Sequence, residues 1–147
     1  MKPEETIDFH LRWTWAKISK MYNAEAAKFG GTMAIGFALL NIDKEGTPST
    51  KLGPKMGMEP TSLTRLLKTM EQEKLIHKTP SETDKRIVLI RLTEKGKRMR
   101  DQSRARVIAF NELVRKEIPE EDLETFMRVM QSVNALLERN NIFEEPQ

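Results

Sequence analysis

Cysteine is absent from the 147 residues, which excludes disulfide staples, thiolate metal sites and any cysteine-based redox switch. Histidine is scarce. With only 2, His10 and His77, an imidazole metal site within one chain is not expected, and neither a metal nor another cofactor is assigned. No stretch approaches the roughly 18 consecutive apolar residues of a membrane span. The start, Met1-Lys2-Pro3-Glu4-Glu5, is acidic and lacks a signal-peptide core, so the expected address is the cytoplasm, with no membrane partner. There is no glycine-rich phosphate loop and no nucleophile–base pair to nominate, so the chain is not expected to be an enzyme.

What is present is an uneven charge. The net +3 of the whole chain hides a middle segment, residues 44–100, with 14 Lys plus Arg against 7 Asp plus Glu. The flanks carry 11 against 15, so +7 in the centre sits between segments totalling −4. A concentrated positive region is the electrostatic footprint of a polyanion binder. A merely solvated basic face has the same composition, so position and motif must separate the two.

The apolar pattern supplies position. Ile7, Leu11, Trp15, Ile18 and Tyr22 follow a 3.6-residue period from Thr6 to about Ala27, with Phe9, Trp13 and Ala16 as a second strip beside it. Two strips on one helix suggest two bodies to contact, the protein's own core and a partner subunit. Gly30-Gly31 breaks that helix, and Thr32 can cap a second, nearly all-apolar helix from Met33 to about Ile42. After a turn cluster at residues 43–50, a helix over Lys51 to Met56 is expected to be short or distorted by Gly53-Pro54. Pro60 opens another helix to about Lys74, with Leu63, Leu66, Leu67 and Met70 as its apolar face. Residues 76–92 read as a β-hairpin with a charged tip, its second β-rich run starting at Arg86. Thr93 caps a long helix to about Ile118, Pro119 starts the last one, and the tail frays from Asn140. The fold class expected is therefore mainly α with a small β-hairpin wing. Helix–turn–helix followed by hairpin is the plan of a winged helix.

In such a reader the second helix enters the major groove of double-stranded DNA. Thr61, Thr64, Arg65 and Lys68 share one exposed face at i, i+3, i+4 and i+7, opposite the leucines. Small hydroxyls permit close approach, Arg65 can bond guanine in bidentate fashion or hold a phosphate, and Ser62 can reach a phosphate. Lys51 and Lys55 on the supporting helix add charge nearby. At the hairpin tip, Asp84-Lys85-Arg86 sets an acid two residues before an arginine, on one side of an extended segment. An Asp84–Arg86 pair can orient the guanidinium toward the negative potential of a narrow minor groove. A winged-helix module that binds protein through its hairpin, without touching DNA, is the alternative.

The run Met58-Glu59-Pro60-Thr61-Ser62-Leu63-Thr64-Arg65-Leu66-Leu67-Lys68-Thr69-Met70-Glu71, the Asp84-Lys85-Arg86 tip and Leu92-Thr93-Glu94-Lys95-Gly96 together resemble the MarR family of bacterial transcription regulators. The resemblance implies a homodimer whose terminal helices intertwine, residues 1–43 and 101–147, and a DNA-binding lobe over residues 44–100. It implies a pseudo-palindromic operator, major-groove contacts from Thr61, Ser62, Thr64, Arg65 and Lys68, a bracing acid at Asp84 and a minor-groove arginine at Arg86. A small-molecule pocket is also implied, with Phe9, His10, Trp13, Met33, Phe37, Arg106 and Phe110 as its candidates. Aromatics and methionines suit a flat or lipophilic effector, and Arg106 or His10 can meet a carboxylate. Two departures stand out. Lys74 occupies a position where the family has glycine, so the exit of the recognition helix is expected to differ. Gly53-Pro54 interrupts the supporting helix.

Overall fold

The structure, a computed structural model, describes residues 1–143; the last residues of the tail, 144–147, lie outside the described residues. Its elements are a 3₁₀ turn at Pro3–Glu5, then α1 Ile7–Ala27, α2 Met33–Leu40, β1 Thr47–Pro48, α3 Ser49–Met56, α4 Pro60–Gln72, β2 Ile76–Pro80, β3 Val88–Leu92, α5 Glu94–Glu117 and α6 Glu120–Leu137. The chain divides into two compact units, Met1–Val107 and Ile108–Gln147, with the boundary inside α5. None of the described helices is long and apolar enough to cross a membrane.

Three threonines set helix starts by accepting an orphan amide. Thr6 takes the Phe9 N–H at 3.3 Å, Thr32 that of Ile35 at 3.2 Å, and Thr93 that of Gly96 at 3.0 Å. Each such cap is worth about 1 kcal/mol. Pro119 stands just before α6 as its cap rather than inside it, and Asp122 and Leu123 donate to its carbonyl. At the other end, Asn140–Phe143 form turns around Asn141, which has a left-handed backbone (φ 63°).

The core belongs to the first unit. Ile35, Ala38, Leu39 and Ile42 meet Leu52 of α3, Leu63, Leu67 and Met70 of α4, then Leu75, Ile76, Ile90, Leu92 and Met99. Fully burying side chains of this size contributes about 1.5–3 kcal/mol each. The expected all-round burial of α2 is corrected: Ala34 and Phe37 are exposed and Met33 and Leu40 only half-buried, which leaves Ile35, Gly36, Ala38 and Leu39 as its buried residues. The helix also ends at Leu40, two residues before the expected Ile42. Neither strip of α1 is buried in the protomer's own core. Ile7, Leu11, Trp13, Trp15 and Ala16 are exposed, Phe9, Ile18 and Tyr22 only half-buried, and Ala26 is the helix's one buried residue.

Two further expectations are corrected in the middle of the chain. The sheet has three antiparallel strands in the order β1-β3-β2, not two. Thr47 pairs with Ile90 and Pro48 with Leu89 in what reads as a turn cluster. A two-residue strand shows no alternation, and a proline is tolerated because this is a sheet edge. The second strand of the hairpin begins at Val88 rather than Arg86, since residues 84–87 close a turn in which the Ile87 N–H donates to the Asp84 carbonyl at 3.0 Å.

The supporting helix α3 runs unbroken through Pro54. The steric bar on an α conformation before proline comes from the N–H and the Cβ of the preceding residue, and Gly53 lacks the second. Gly53 is also where α3 meets the next segment: a Cβ there would lie 3.2 Å from the Met58 carbonyl oxygen and 3.3 Å from Leu63 Cδ2. Gly57 then ends the helix in the left-handed region (φ 63°).

Candidate nucleic-acid interface

Helix α4, the candidate recognition helix, buries Leu63, Leu67 and Met70 and leaves Thr61, Ser62, Thr64, Arg65 and Lys68 exposed. Its period therefore sorts apolar side chains onto the core and hydroxyl and cationic ones onto the surface. The Thr64 hydroxyl donates to the Pro60 carbonyl at 2.9 Å, one turn back, which leaves its oxygen able to accept. Of the two lysines on α3, Lys51 is exposed, whereas the Lys55 ammonium donates to the Asn41 carbonyl at 2.9 Å and lies 3.5 Å from Asp43. Lys55 therefore ties α3 to the end of α2.

The exit of α4 does not differ as Lys74 led one to expect. Lys74 itself adopts the left-handed conformation (φ 59°) that glycine takes at little cost. The Leu75 N–H reaches back to the Met70 carbonyl at 2.9 Å, closing the usual C-terminal motif. Groups at the start of α5 then hold this exit. The Thr93 hydroxyl donates to the Lys74 carbonyl at 2.6 Å and its N–H to the Leu75 carbonyl at 3.0 Å. Lys95 donates to the Glu73 carbonyl at 2.8 Å, a cation at the negative end of the α4 dipole. Gly96 packs so close that a Cβ would overlap the Leu75 carbonyl. The Thr93-Glu94-Lys95-Gly96 run thus clamps the end of α4, a role not visible in the sequence, where Thr93 was legible only as the cap of the following helix.

At the wing tip the Asp84–Arg86 pair forms. Arg86 Nε donates to one Asp84 oxygen at 3.1 Å and Nη2 to the other at 3.2 Å. The Arg86 backbone N–H donates to the first oxygen as well, at 3.1 Å. These bonds hold the Asp84 carboxyl below the ordinary aspartate range, the guanidinium first and the backbone amide second. The Arg86 side chain is 91% exposed, so the pair contributes little stability. Its effect is orientation: the guanidinium plane is fixed while the Nη1 hydrogens stay outside the pair with Asp84. Lys85, between them, is exposed. Behind the tip, Arg91 of β3 donates to Thr79 Oγ1 at 3.0 Å and to the Glu45 carbonyl at 2.8 Å. Alternation along Ile90-Arg91-Leu92 signalled that its side chain leaves the core, but not what it touches.

The candidate effector residues separate into groups. Phe9 contacts His10 edge-on with ring centroids 5.4 Å apart, and Trp13 at 6.3 Å. His10 Nε2 is 2.8 Å from the Glu4 carbonyl; a carbonyl only accepts, so this nitrogen carries the proton. Lys17 lies 5.8 Å from the centre of the Trp13 ring. On α2, the Met33 N–H is held by Asn23 Oδ1 at 2.9 Å, and Phe37 is exposed. Arg106 bonds Glu25 at 2.9 Å, so a carboxylate of the chain itself engages it. Lys28 shares that carboxylate at 2.7 Å and is the larger cause of its lowered pKa, with Arg106 second. Phe110 is half-buried in the second unit. Among the described residues no group of His, Asp or Glu is gathered to hold a metal ion.

Comparison with known proteins follows the same lines. The model of the MarR family matches residues 37–88, from α2 to the start of β3. The organic hydroperoxide resistance transcriptional regulator of Bacillus subtilis is 34% identical over 104 residues, covering 70% of this chain and 71% of that protein. Among solved structures, CouR from Rhodococcus jostii bound to p-coumaroyl-CoA superposes with a TM-score of 0.80 at 24% identity, over 90% of this chain and 94% of that one. The Staphylococcus aureus MepR–DNA complex also gives 0.80, at 16% identity, over 88% and 97%. At those identities the superpositions speak for the fold, a mainly helical winged helix. With the family match over the lobe and the Bacillus relative across most of its length, the chain belongs to the MarR family and is a transcriptional regulator, not an enzyme.

Proposed function

We propose that this regulator is a sequence-specific DNA-binding repressor that acts as a homodimer on a pseudo-palindromic operator and is released by a small lipophilic or aromatic acid. The observation that carries the DNA reading is the exposed row Thr61, Ser62, Thr64, Arg65 and Lys68 on a helix whose opposite side is core. Arg65 and the hydroxyls read base edges, Ser62 and Lys68 hold phosphates, and Lys51 adds a backbone contact from α3. Lys55, bonded to Asn41 and Asp43, contributes charge to the lobe. The braced Arg86 enters the minor groove, with Lys85 on the flanking phosphate and Asp84 as the brace. DNA-bound MepR has the same fold, which supports the reading without assigning residues.

The dimer reading rests on bare apolar surface. Trp13 is 56% exposed on α1, Phe126 50% and Leu137 63% on α6, more than a monomer ordinarily leaves uncovered on a helix stripe. A second copy covers both faces, with residues 1–43 and 101–147 as the dimerisation region and 44–100 as the reading lobe. The effector reading draws on CouR, whose structure holds p-coumaroyl-CoA, and on Phe9, His10, Trp13, Met33, Phe37, Arg106 and Phe110 as candidates. Release follows if the effector prefers a lobe spacing that cannot meet both half-sites, which requires differential affinity for the two states.

Selection of preferred sites from random duplexes, followed by titration at two salt concentrations, tests the core of this. The expected result is an inverted-repeat site with half-sites about one helical turn apart, and affinity that falls steeply as salt rises. No enriched site, or binding indifferent to salt, would leave the hairpin as a protein-docking element instead.

A further inference from the structure

Arg91 links three segments: β3, on which it sits, β2, and the turn that precedes β1. It sits on β3 opposite His77 of β2. Its Nε bonds Thr79 of β2 at 3.0 Å, and its Nη1 bonds the Glu45 carbonyl at 2.8 Å. Glu45 lies in the turn Asp43–Gly46, closed by the Gly46 N–H on the Asp43 carbonyl at 3.0 Å, directly before β1 and α3. Gly46 has φ +95°, and a Cβ there would stand 3.2 Å from Arg91 Cγ, so the turn lies flat against the arginine stem. Neither bond runs to a carboxylate, so these contacts are geometric rather than ionic. Only a planar fork reaches a hydroxyl on one side and a carbonyl on the other, and a lysine does not replace it.

We propose that Arg91 is a positioning residue for DNA recognition: it fastens the stem of the wing to the turn that leads into the helix–turn–helix, and so fixes where Arg86 is delivered. β1 is only two residues long, so the sheet alone offers little resistance to a swing of the β2–β3 hairpin about this edge. This inference rests on the wing reading of the preceding subsection, which Arg86→Ala tests separately.

The experiment is a double-mutant cycle on a selected operator, with all variants checked for unchanged helix content. Arg91→Ala weakens binding about three- to tenfold, the size expected for losing one or two positioning hydrogen bonds. Arg91→Lys loses nearly as much, despite keeping its charge. Combined with Arg86→Ala, either change adds little, because the wing is already uncoupled. Thr79→Val, a milder cut that leaves the Glu45 bond in place, shows a smaller loss with the same non-additivity. Full additivity with Arg86→Ala, or wild-type binding by Arg91→Lys, would overturn the proposal and make Arg91 a direct phosphate contact. If Arg86→Ala alone leaves affinity unchanged, the wing reading fails. The fastening is then judged in the DNA-free protein, where Arg91→Ala is expected to speed amide exchange at Gly46 and Ser81. Unchanged exchange there refutes it.

Discussion

Asp84 and Lys74 show how single residues set local geometry, one at the wing tip and the other at the exit of α4. Asp84 accepts from both the side chain and the backbone of Arg86, and these bonds lower its pKa. A depressed carboxylate keeps its pairing at every pH above the ordinary aspartate range and loses it only as pH falls through the lower folded-state value. The wing geometry is therefore independent of pH around neutrality. An NMR titration of the Asp84 carboxyl should show protonation below that of an unpaired aspartate, moving back up in Arg86→Gln. An unmoved titration would deny the guanidinium its role. Lys74 holds a left-handed backbone that costs an L-residue about 1 kcal/mol more than glycine. Lys74→Gly should accordingly raise stability by about 0.5–1 kcal/mol in denaturant titration at fixed protomer concentration. A loss of stability would mean that the lysine side chain has contacts worth more than the strain.

At the scale of elements, helix existence and the division of α4 into a buried and an exposed face were legible, because periodicity and threonine caps act locally. Leu63, Leu67 and Met70 told which side of α4 faces inward before any contact was known. The failures lie where a distant segment decides. β1 forms because β3 offers it a ladder, not because Thr47-Pro48 favours a strand. Gly53-Pro54 reads as a break, yet α3 runs through it, with the missing Cβ of Gly53 easing the clash that proline imposes on the residue before it. The uncovered strips of α1 were visible as strips, while what covers them is not encoded within the segment. The α4–α5 junction was hidden for the same reason, since Gly96 has meaning only against Leu75. Gly96→Ala must displace that carbonyl, which also serves Thr93. It should cost about 2–3 kcal/mol or more and raise amide exchange at the end of α4. An alanine variant of wild-type stability would show that the junction yields easily.

For the molecule as a whole, charge segregation and bare apolar helices point in two directions: the basic centre toward a polyanion, the terminal helices toward another copy of the chain. Deleting everything from Pro119 removes α6, whose side chains are nowhere buried within the protomer. The expected product is aggregated, unfolded or monomeric and unable to hold an operator; a well-behaved DNA-competent monomer would contradict the dimer. Whether the exposed row on α4 reads base edges is decided by the affinity of wild type and Arg65→Ala for the selected operator and for a random duplex of equal length. The prediction is a loss of about 1–3 kcal/mol on the operator, a much smaller one on random DNA, and relaxed preference at the base pairs Arg65 faces. Equal losses on both duplexes, or none on either, would contradict it.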